Sequence, residues 1–129
     1  MDKVTGLGGV FLKVQDPKAM AEWYKKHLDI HLAGNDNTQY VEFKWINHNN
    51  PAVPGSSVFS LFKSDSTYFQ PSASPFMINF RVKDLIALVE TLKNDGVQLA
   101  GEPQIHEYGK FAWIIDPEGN KIELWEPVD

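Results

Sequence analysis

The sequence repeats one order of elements in its two halves, and this repeat constrains the fold more than any other feature. In the first half, a strand ending at Val14 precedes a helix opened by Asp16 and Pro17, and the apolar segments TQYVEFKW and SVFSLFK follow. In the second half, a strand ending at Val82 precedes a helix that begins at Asp84, and a hairpin follows. Each half therefore reads β-α-β-β-β. Such a unit has an apolar sheet face too large to bury alone, so we expect the halves to pack together.

The two predicted helices carry start and stop signals. Asp16 suits an N-cap and Pro17 suits the first helical turn. The second helix, DLIALVETLKNDG, begins at Asp84, has Leu88 within its apolar stripe and ends at Gly96. These signals place one helix in each half.

The last predicted element is a hairpin that contains a carboxylate within an apolar strand. In DPEG, Pro117 suits the second position of a type I turn and Gly119 the fourth. GKFAWIID and NKIELWEP are therefore predicted to pair. Glu123 lies in the middle of the second of these strands. It is a candidate metal ligand, a candidate catalytic base or an ordinary outward-facing residue.

These elements predict a single α+β domain over residues 1–129. The first βαβββ module is expected at residues 7–63 and the second at residues 76–127. Residues 64–75, SDSTYFQPSASP, are polar and rich in Pro and Ser, and we interpret them as a linker.

Composition excludes several classes of function. The 129 residues carry a net charge of −5 with no basic stripe, which argues against a nucleic acid or an anionic membrane as the partner. The chain has no cysteine, so disulfides, thiolate nucleophiles and cysteine metal sites are excluded. No apolar run approaches the ~20 residues that span a bilayer. We therefore expect a cytoplasmic protein whose main partner is neither a nucleic acid nor a membrane.

The repeat, the helix opened by DP with WY inside it, and above all the terminal DPEGNKIELWEP resemble the glyoxalase/bleomycin-resistance/dioxygenase group, the vicinal oxygen chelate superfamily. The resemblance covers nearly the whole chain. It implies two βαβββ modules whose curved mixed sheets form a cup, and it implies a homodimer with sites between modules or subunits.

In metal-dependent members of this group, ligands occupy equivalent strand positions in the two modules. The resemblance places these positions at Gly9, Ser60, Met77 and Glu123. Only Glu123 is a good ligand for a divalent ion, since glycine has no side chain and a thioether is too soft. We therefore expect neither a metal nor another cofactor. An unexpected metal site using Glu42, His106 or a residue of a partner subunit stays open.

Strand periodicity of two predicts which side chains share the cup face with Glu123. Lys121 and Trp125 alternate with it. The residues expected to bind a ligand are Phe11, Lys13, Ser60, Phe62, Met77, Asn79, Arg81 and Trp125. Their mixture of aromatic area and a few polar groups is typical of a small-molecule pocket, although the same residues would also fill a cup or a dimer seam. Arg81 is expected to pair with Glu123, and Trp113 to pack against a helix.

Two functions follow from this pattern. The first is a metal-independent protein that binds an aromatic or amphipathic ligand, as the resemblance to the bleomycin-resistance branch implies. The alternative is a lyase, isomerase or epimerase, related to lactoylglutathione lyase, in which Glu123 is the catalytic base. Whether the chain is an enzyme stays open, and a third possibility is a module that uses the fold only for dimerisation.

Overall fold

The computed structural model describes residues 3–128, which form eight strands and two helices. The elements in chain order are β1 (Val4–Val14), α1 (Pro17–Leu28), β2 (Ala33–Gly34), β3 (Thr38–Ile46), β4 (Pro54–Lys63), β5 (Phe76–Val82), α2 (Leu85–Asn94), β6 (Gln104–His106), β7 (Gly109–Ile115) and β8 (Lys121–Pro127). Residues 64–75 connect the two halves without a helix or a strand.

All eight strands belong to one sheet, in the order β2-β3-β4-β1-β5-β8-β7-β6. The first strands of the two halves, β1 and β5, pair antiparallel at the centre, and each also pairs in parallel with the last strand of its own half. The sheet is mixed, curved and unclosed. The predicted α+β class with curved mixed sheets is therefore confirmed, with the two sheets joined into one.

Both helices begin where the sequence predicts. The Asp16 carboxylate accepts a hydrogen bond from the Ala19 amide at 3.1 Å, and Asp84 accepts one from the Ala87 amide at 3.2 Å. Each side chain satisfies an amide that the first helical turn leaves unpaired. Neither α1 nor α2, the helices of the described residues, is long and apolar enough to cross a membrane.

A compact apolar cluster joins α2 to the sheet of the second half. Its buried members are Val82, Leu85, Leu88, Val89, Ala112 and Leu124. Leu85 is fully buried, and its amide donates to the Glu126 carboxylate of β8 at 2.8 Å, which fixes the start of α2 over the sheet. The helical stripe and the alternate strand residues predicted from periodicity meet in this cluster.

A second buried cluster lies on the opposite face of the sheet, which we call the cup face. It contains Phe11, Phe69, Met77 and Trp113. The prediction that Trp113 packs against a helix is wrong, because Trp113 lies opposite Glu123 in the β7–β8 pair and shares its face. Both faces of the central sheet are thus covered, but only one of them by helices.

The DPEG turn closes the β7–β8 hairpin as predicted. The Gly119 amide donates to the Asp116 carbonyl at 3.0 Å, and Gly119 has a φ of 85°, which favours glycine. The Asp116 carboxylate also accepts from the Asn120 amide at 2.9 Å. This turn sets the register that places Trp113 opposite Glu123.

Candidate functional site

The strand register brings predicted site residues into one row across the sheet. Gly9 of β1 lies opposite Asn79 of β5, Asn79 lies beside Glu123 of β8, and Glu123 lies opposite Trp113 of β7. In a neighbouring row, Phe11 lies between Ser60 and Met77. These two rows contain all four positions where metal-dependent relatives are expected to carry ligands.

Glu123 is the centre of the site. Only 2% of its surface is exposed, and both carboxylate oxygens accept hydrogen bonds. The Asn79 amide donates to Oε2 at 2.5 Å, and the Trp113 indole donates to Oε1 at 3.1 Å. The Tyr68 hydroxyl also donates to Oε1. Three donors from two strands and the segment between the halves therefore hold the carboxylate in one orientation.

Burial dominates the electrostatics of this site. It raises the pKa of Glu123, and the hydrogen bonds from Tyr68, Asn79 and Trp113, together with the charge of Lys121, only partly oppose it. Burial and the neighbouring Glu123 charge also raise the pKa of Tyr68. Tyr68 therefore remains a hydrogen-bond donor, and Glu123 is the group of the pair that changes its protonation state.

The connecting segment, residues 64–75, covers the cup face. Phe69 is fully buried in the cup-face cluster and meets Phe62 edge-on, with ring centroids 5.2 Å apart. The Tyr68 ring is parallel to the Phe62 ring within 3° at 5.6 Å. It also meets the Trp113 ring edge-on at 6.3 Å. Two aromatic side chains of this segment thus occupy the space where we expected a ligand.

Several polar contacts hold the connecting segment in place, including a hydrogen bond from the Lys13 amide of β1 to the Pro75 carbonyl at 2.7 Å. Lys121 Nζ donates to the Tyr68 carbonyl at 2.7 Å and lies 5.2 Å from the centre of the Tyr68 ring. Lys13 Nζ lies 5.3 Å from the centre of the Phe69 ring. Near the end of the segment, the Ser74 hydroxyl donates to the Asn120 side chain at 2.8 Å. Two lysines expected on the cup face therefore contact this segment.

Arg81 lies on the cup face, but its contacts differ from the predicted pairing with Glu123. Its guanidinium is sandwiched by Trp45 and Trp125, at 5.3 and 5.1 Å from the ring centres. It also donates to the Ser56 carbonyl at 3.0 Å. The predicted pair with Glu123 is wrong, because that carboxylate takes its hydrogen bonds from Tyr68, Asn79 and Trp113.

The other predicted residues are distributed around this centre. Ser60 and Met77 are buried in the row next to Glu123. Trp125 is half-buried and stacks on Phe111 at 6.3 Å. His106 is exposed at the edge of the sheet, stacked on Tyr108 at 4.8 Å, and Glu42 is exposed on β3. Neither of these two residues is brought to Glu123.

The residues present do not fit a divalent metal ion. Both oxygens of Glu123 are engaged by N–H and O–H donors. A Cβ atom added at Gly9 would collide with the backbone oxygen of Val58, so the backbone leaves no room for a side chain there. Within residues 3–128, no three His, Asp or Glu side chains are placed to share an ion. The chemistry of this site is therefore that of one oriented carboxylate.

A family profile for the Glyoxalase/Bleomycin resistance protein/Dioxygenase superfamily matches residues 6–124. The chain belongs to this superfamily. No curated protein sequence matches it significantly.

Solved structures share the fold. Methylmalonyl-CoA epimerase from Mycobacterium tuberculosis superposes with a TM-score of 0.62 at 24% identity, covering 100% of this chain and 92% of that one. A variant of the Streptomyces coelicolor epimerase in complex with 2-nitronate-propionyl-CoA gives 0.67 at 17% identity, covering 98% and 99%. The Mn(II)-bound glyoxalase from Novosphingobium aromaticivorans gives 0.69 at 18% identity, covering 98% of this chain and 40% of that one. At these identities the likeness shows the fold alone.

Sequence reasoning missed Tyr68 and assigned Trp113 to the wrong face. The alternation that places Glu123 on the cup face, combined with the DPEG turn, would have placed Trp113 opposite it. For Tyr68 the available signal was weaker. Tyr68 and Phe69 are two adjacent aromatic residues in an otherwise polar segment, and such a pair seldom remains fully in solvent.

Proposed function

We propose that the chain is a metal-independent small-molecule-binding protein of the glyoxalase/bleomycin-resistance type, which binds an aromatic or amphipathic ligand on the cup face. The observation that carries this proposal is the placement of Tyr68. One planar ring stacks on Phe62 there while its hydroxyl donates to Glu123. The cup face thus offers both the apolar area and the directed polar group that ligand sites combine.

A second polar group supports the same proposal. Asn79 Oδ1 is a buried acceptor that makes no hydrogen bond among the described residues, and Asn79 is only 2% exposed. A buried acceptor without a partner is costly, and ligand donors are one way to satisfy it. Asn79 and Glu123 are neighbours in the sheet, so one ligand can address both.

The test combines a metal assay with a ligand screen. The protein is expressed in medium supplemented with zinc, nickel, iron and manganese, and its metal content is measured after purification. We expect substoichiometric metal and a higher melting temperature with aromatic compounds. Replacing Phe62 by Leu should weaken this stabilisation, whereas the same change at exposed Phe43 should leave it unaltered. Stoichiometric metal that is lost in Glu123→Gln would contradict the proposal.

A lyase, isomerase or epimerase that uses Glu123 as general base is the second candidate. The raised pKa of Glu123 and its fixed orientation favour it, since a base works best when its pKa lies near the working pH. Methylmalonyl-CoA epimerase shares the fold, which makes proton abstraction beside a carbonyl a reaction to assay. Metal-free turnover that Glu123→Gln abolishes while binding survives would favour catalysis over binding alone.

We also propose a homodimer, as the family resemblance implies, and a cytoplasmic location, as the composition led us to expect. Light scattering coupled to gel filtration tests the dimer, with an expected mass of twice 14.6 kDa. A monomer at micromolar concentration would contradict it. Fractionation of the cells that express the protein tests the location.

A further inference from the structure

The Tyr68 side chain sits in a slot shaped for one planar ring. Phe62 lies parallel to one side of the ring, the Trp113 edge borders it, and Lys121 Nζ lies 5.2 Å from its centre. Glu123 receives the hydroxyl at the inner end. Tyr68 is nevertheless 37% exposed, so the outer end of the slot opens to the surface.

We infer that the connecting segment is a displaceable plug, and that the ligand of the cup face is a phenol whose ring and hydroxyl take the place of Tyr68. This inference rests on the proposed function and names its ligand class. The ligand class is inferred from the Tyr68 side chain that fills the slot. A slot that binds a tyrosine side chain has the shape and the hydrogen-bond acceptor for any comparable phenol.

The hydroxyl is the part of the ligand that the site can discriminate. With Tyr68 displaced, Glu123 would keep its bonds from Asn79 and Trp113 but lose one at Oε1. A ring without a hydroxyl leaves that buried carboxylate oxygen short of a donor, which is costly. A hydrogen bond to a charged group is worth roughly tenfold in affinity or more. The site should therefore prefer phenols over otherwise identical hydrocarbons.

The connecting segment is built so that it can leave. Its internal backbone hydrogen bonds are local, from Ser66 to Lys63, from Gln70 to Thr67 and from Ser72 to Phe69. A displacement that pivots at Pro75, whose carbonyl stays bonded to the Lys13 amide, would move these turns as a unit without breaking the sheet. The main apolar contact that displacement breaks is the burial of Phe69. The apparent affinity of a ligand is then reduced by the fraction of molecules with the segment docked.

The first experiment removes the Tyr68 side chain and adds a small molecule of the same structure in its place. Tyr68→Ala should bind 4-methylphenol, which is the tyrosine side chain, about tenfold more tightly than toluene or 4-methylanisole. Calorimetric titration of the full chain measures this. Equal affinity for 4-methylphenol and toluene would overturn the assignment of a phenol.

A second variant keeps the test valid if Tyr68→Ala does not fold. Tyr68→Phe retains the ring and removes only the competing hydroxyl. It should therefore bind 4-methylphenol roughly tenfold more tightly than the unchanged protein. Identical affinities for the two proteins would show that the hydroxyl of Tyr68 does not compete with the ligand.

Proteolysis of the unchanged protein tests displacement itself. Chymotrypsin cuts after aromatic residues, and Tyr68 and Phe69 are adjacent in the connecting segment. Adding 4-methylphenol should accelerate cleavage after these two residues, identified by mass spectrometry, whereas toluene should do so less. Unchanged cleavage at saturating 4-methylphenol would overturn displacement.

The results separate this inference from the proposed function. Binding of other aromatic compounds by the unchanged protein, with no preference for phenols in either variant, overturns the inference and leaves the proposed function intact. Binding of 4-methylphenol by Tyr68→Ala, with no ligand bound by the unchanged protein, overturns both the proposed function and displacement. In that case Tyr68 is a permanent part of the core.

Discussion

The two faces of the central sheet are closed in different ways. On one face, α2 supplies Leu85, Leu88 and Val89 to an all-apolar cluster, and a helix cap and a carboxylate from β8 fix its start. On the cup face, a segment without regular structure supplies Tyr68 and Phe69. The first closure is made of repeating apolar contacts. The second combines aromatic stacking with a buried carboxylate.

This difference indicates how the two faces divide stability and function. An apolar cluster under a helix gains from every methylene buried and has no polar group to satisfy. The cup face holds Glu123 and the unpaired acceptor of Asn79, both of which are expensive to bury. Proteins retain buried polar groups of this kind mainly where a functional site needs them. We therefore expect the helix side to supply most of the stability and the cup face to supply the binding chemistry.

The largest effect is expected on the helix side. Leu85→Ala removes a fully buried side chain from under α2 and should lower the free energy of unfolding by about 2–5 kcal/mol. Ile86→Ala, at the neighbouring position that is 42% exposed, should change it by about 0.5 kcal/mol or less beyond helix propensity. Urea denaturation measures both. Equal losses at the two positions would contradict the structure of this cluster.

Phe69→Ala tests whether the connecting segment contributes as much stability to the cup face as α2 contributes to the opposite face. A fully buried phenylalanine usually loses about 3–5 kcal/mol on truncation. If the connecting segment is the displaceable plug inferred above, the loss cannot exceed the free energy with which it docks, because the rest of the fold would survive its displacement. We therefore expect a loss below about 3 kcal/mol, smaller than that of Leu85→Ala. A larger loss in denaturation would make Phe69 an ordinary core residue.

The same contrast explains what the sequence could predict. The helix-side cluster follows from the 3.6-residue period of α2 and the alternation of β5, β7 and β8, which are local patterns. The strand positions of Asn79 and Glu123 on the cup face follow from the same alternation. The DPEG turn fixes a register that also pairs Trp113 with Glu123. Periodicity and turn residues were therefore sufficient to predict these features.

The contacts of residues 64–75 could not be predicted from the sequence. This segment has no period, and its polar and Pro/Ser-rich composition is that of a surface loop. Its hydrogen bond from Tyr68 to Glu123 joins residues 55 positions apart. Nothing local in SDSTYFQPSASP specifies that partner. The partner of Arg81 was mispredicted for a related reason, since Trp45 and Trp125 reach it from strands whose relative curvature the sequence does not state.

The helix caps offer a smaller comparison between the halves. Asp84→Ala and Asp16→Ala each remove the carboxylate that accepts from the first helical turn, and each should cost about 1 kcal/mol. Asn in place of either Asp should cost little, because its side-chain oxygen can accept the same hydrogen bond. Thermal denaturation of the four variants measures this. A loss at neither position would show that the caps add nothing to the packing.

Glu123→Gln should change stability least, and its pH dependence tests the electrostatics of the cup face. The variant loses the strength of charged hydrogen bonds but also loses the cost of burying a charge, and the two effects oppose each other. Rotation of the Asn79 amide would turn its unpaired Oδ1 toward the new Gln amide.

Burial raises the pKa of Glu123 above its usual 4.5. Between pH 4.5 and the pKa of the folded protein, the native state therefore holds a proton that the unfolded state has lost. Ionisation of Glu123 thus lowers the stability of the unchanged protein as the pH rises through this window, and Gln cannot ionise. The stability of the variant relative to the unchanged protein should therefore increase from about pH 4.5 upward and then level off, measured by denaturation across pH. A relative stability that falls over this range would mean that the three donors outweigh burial.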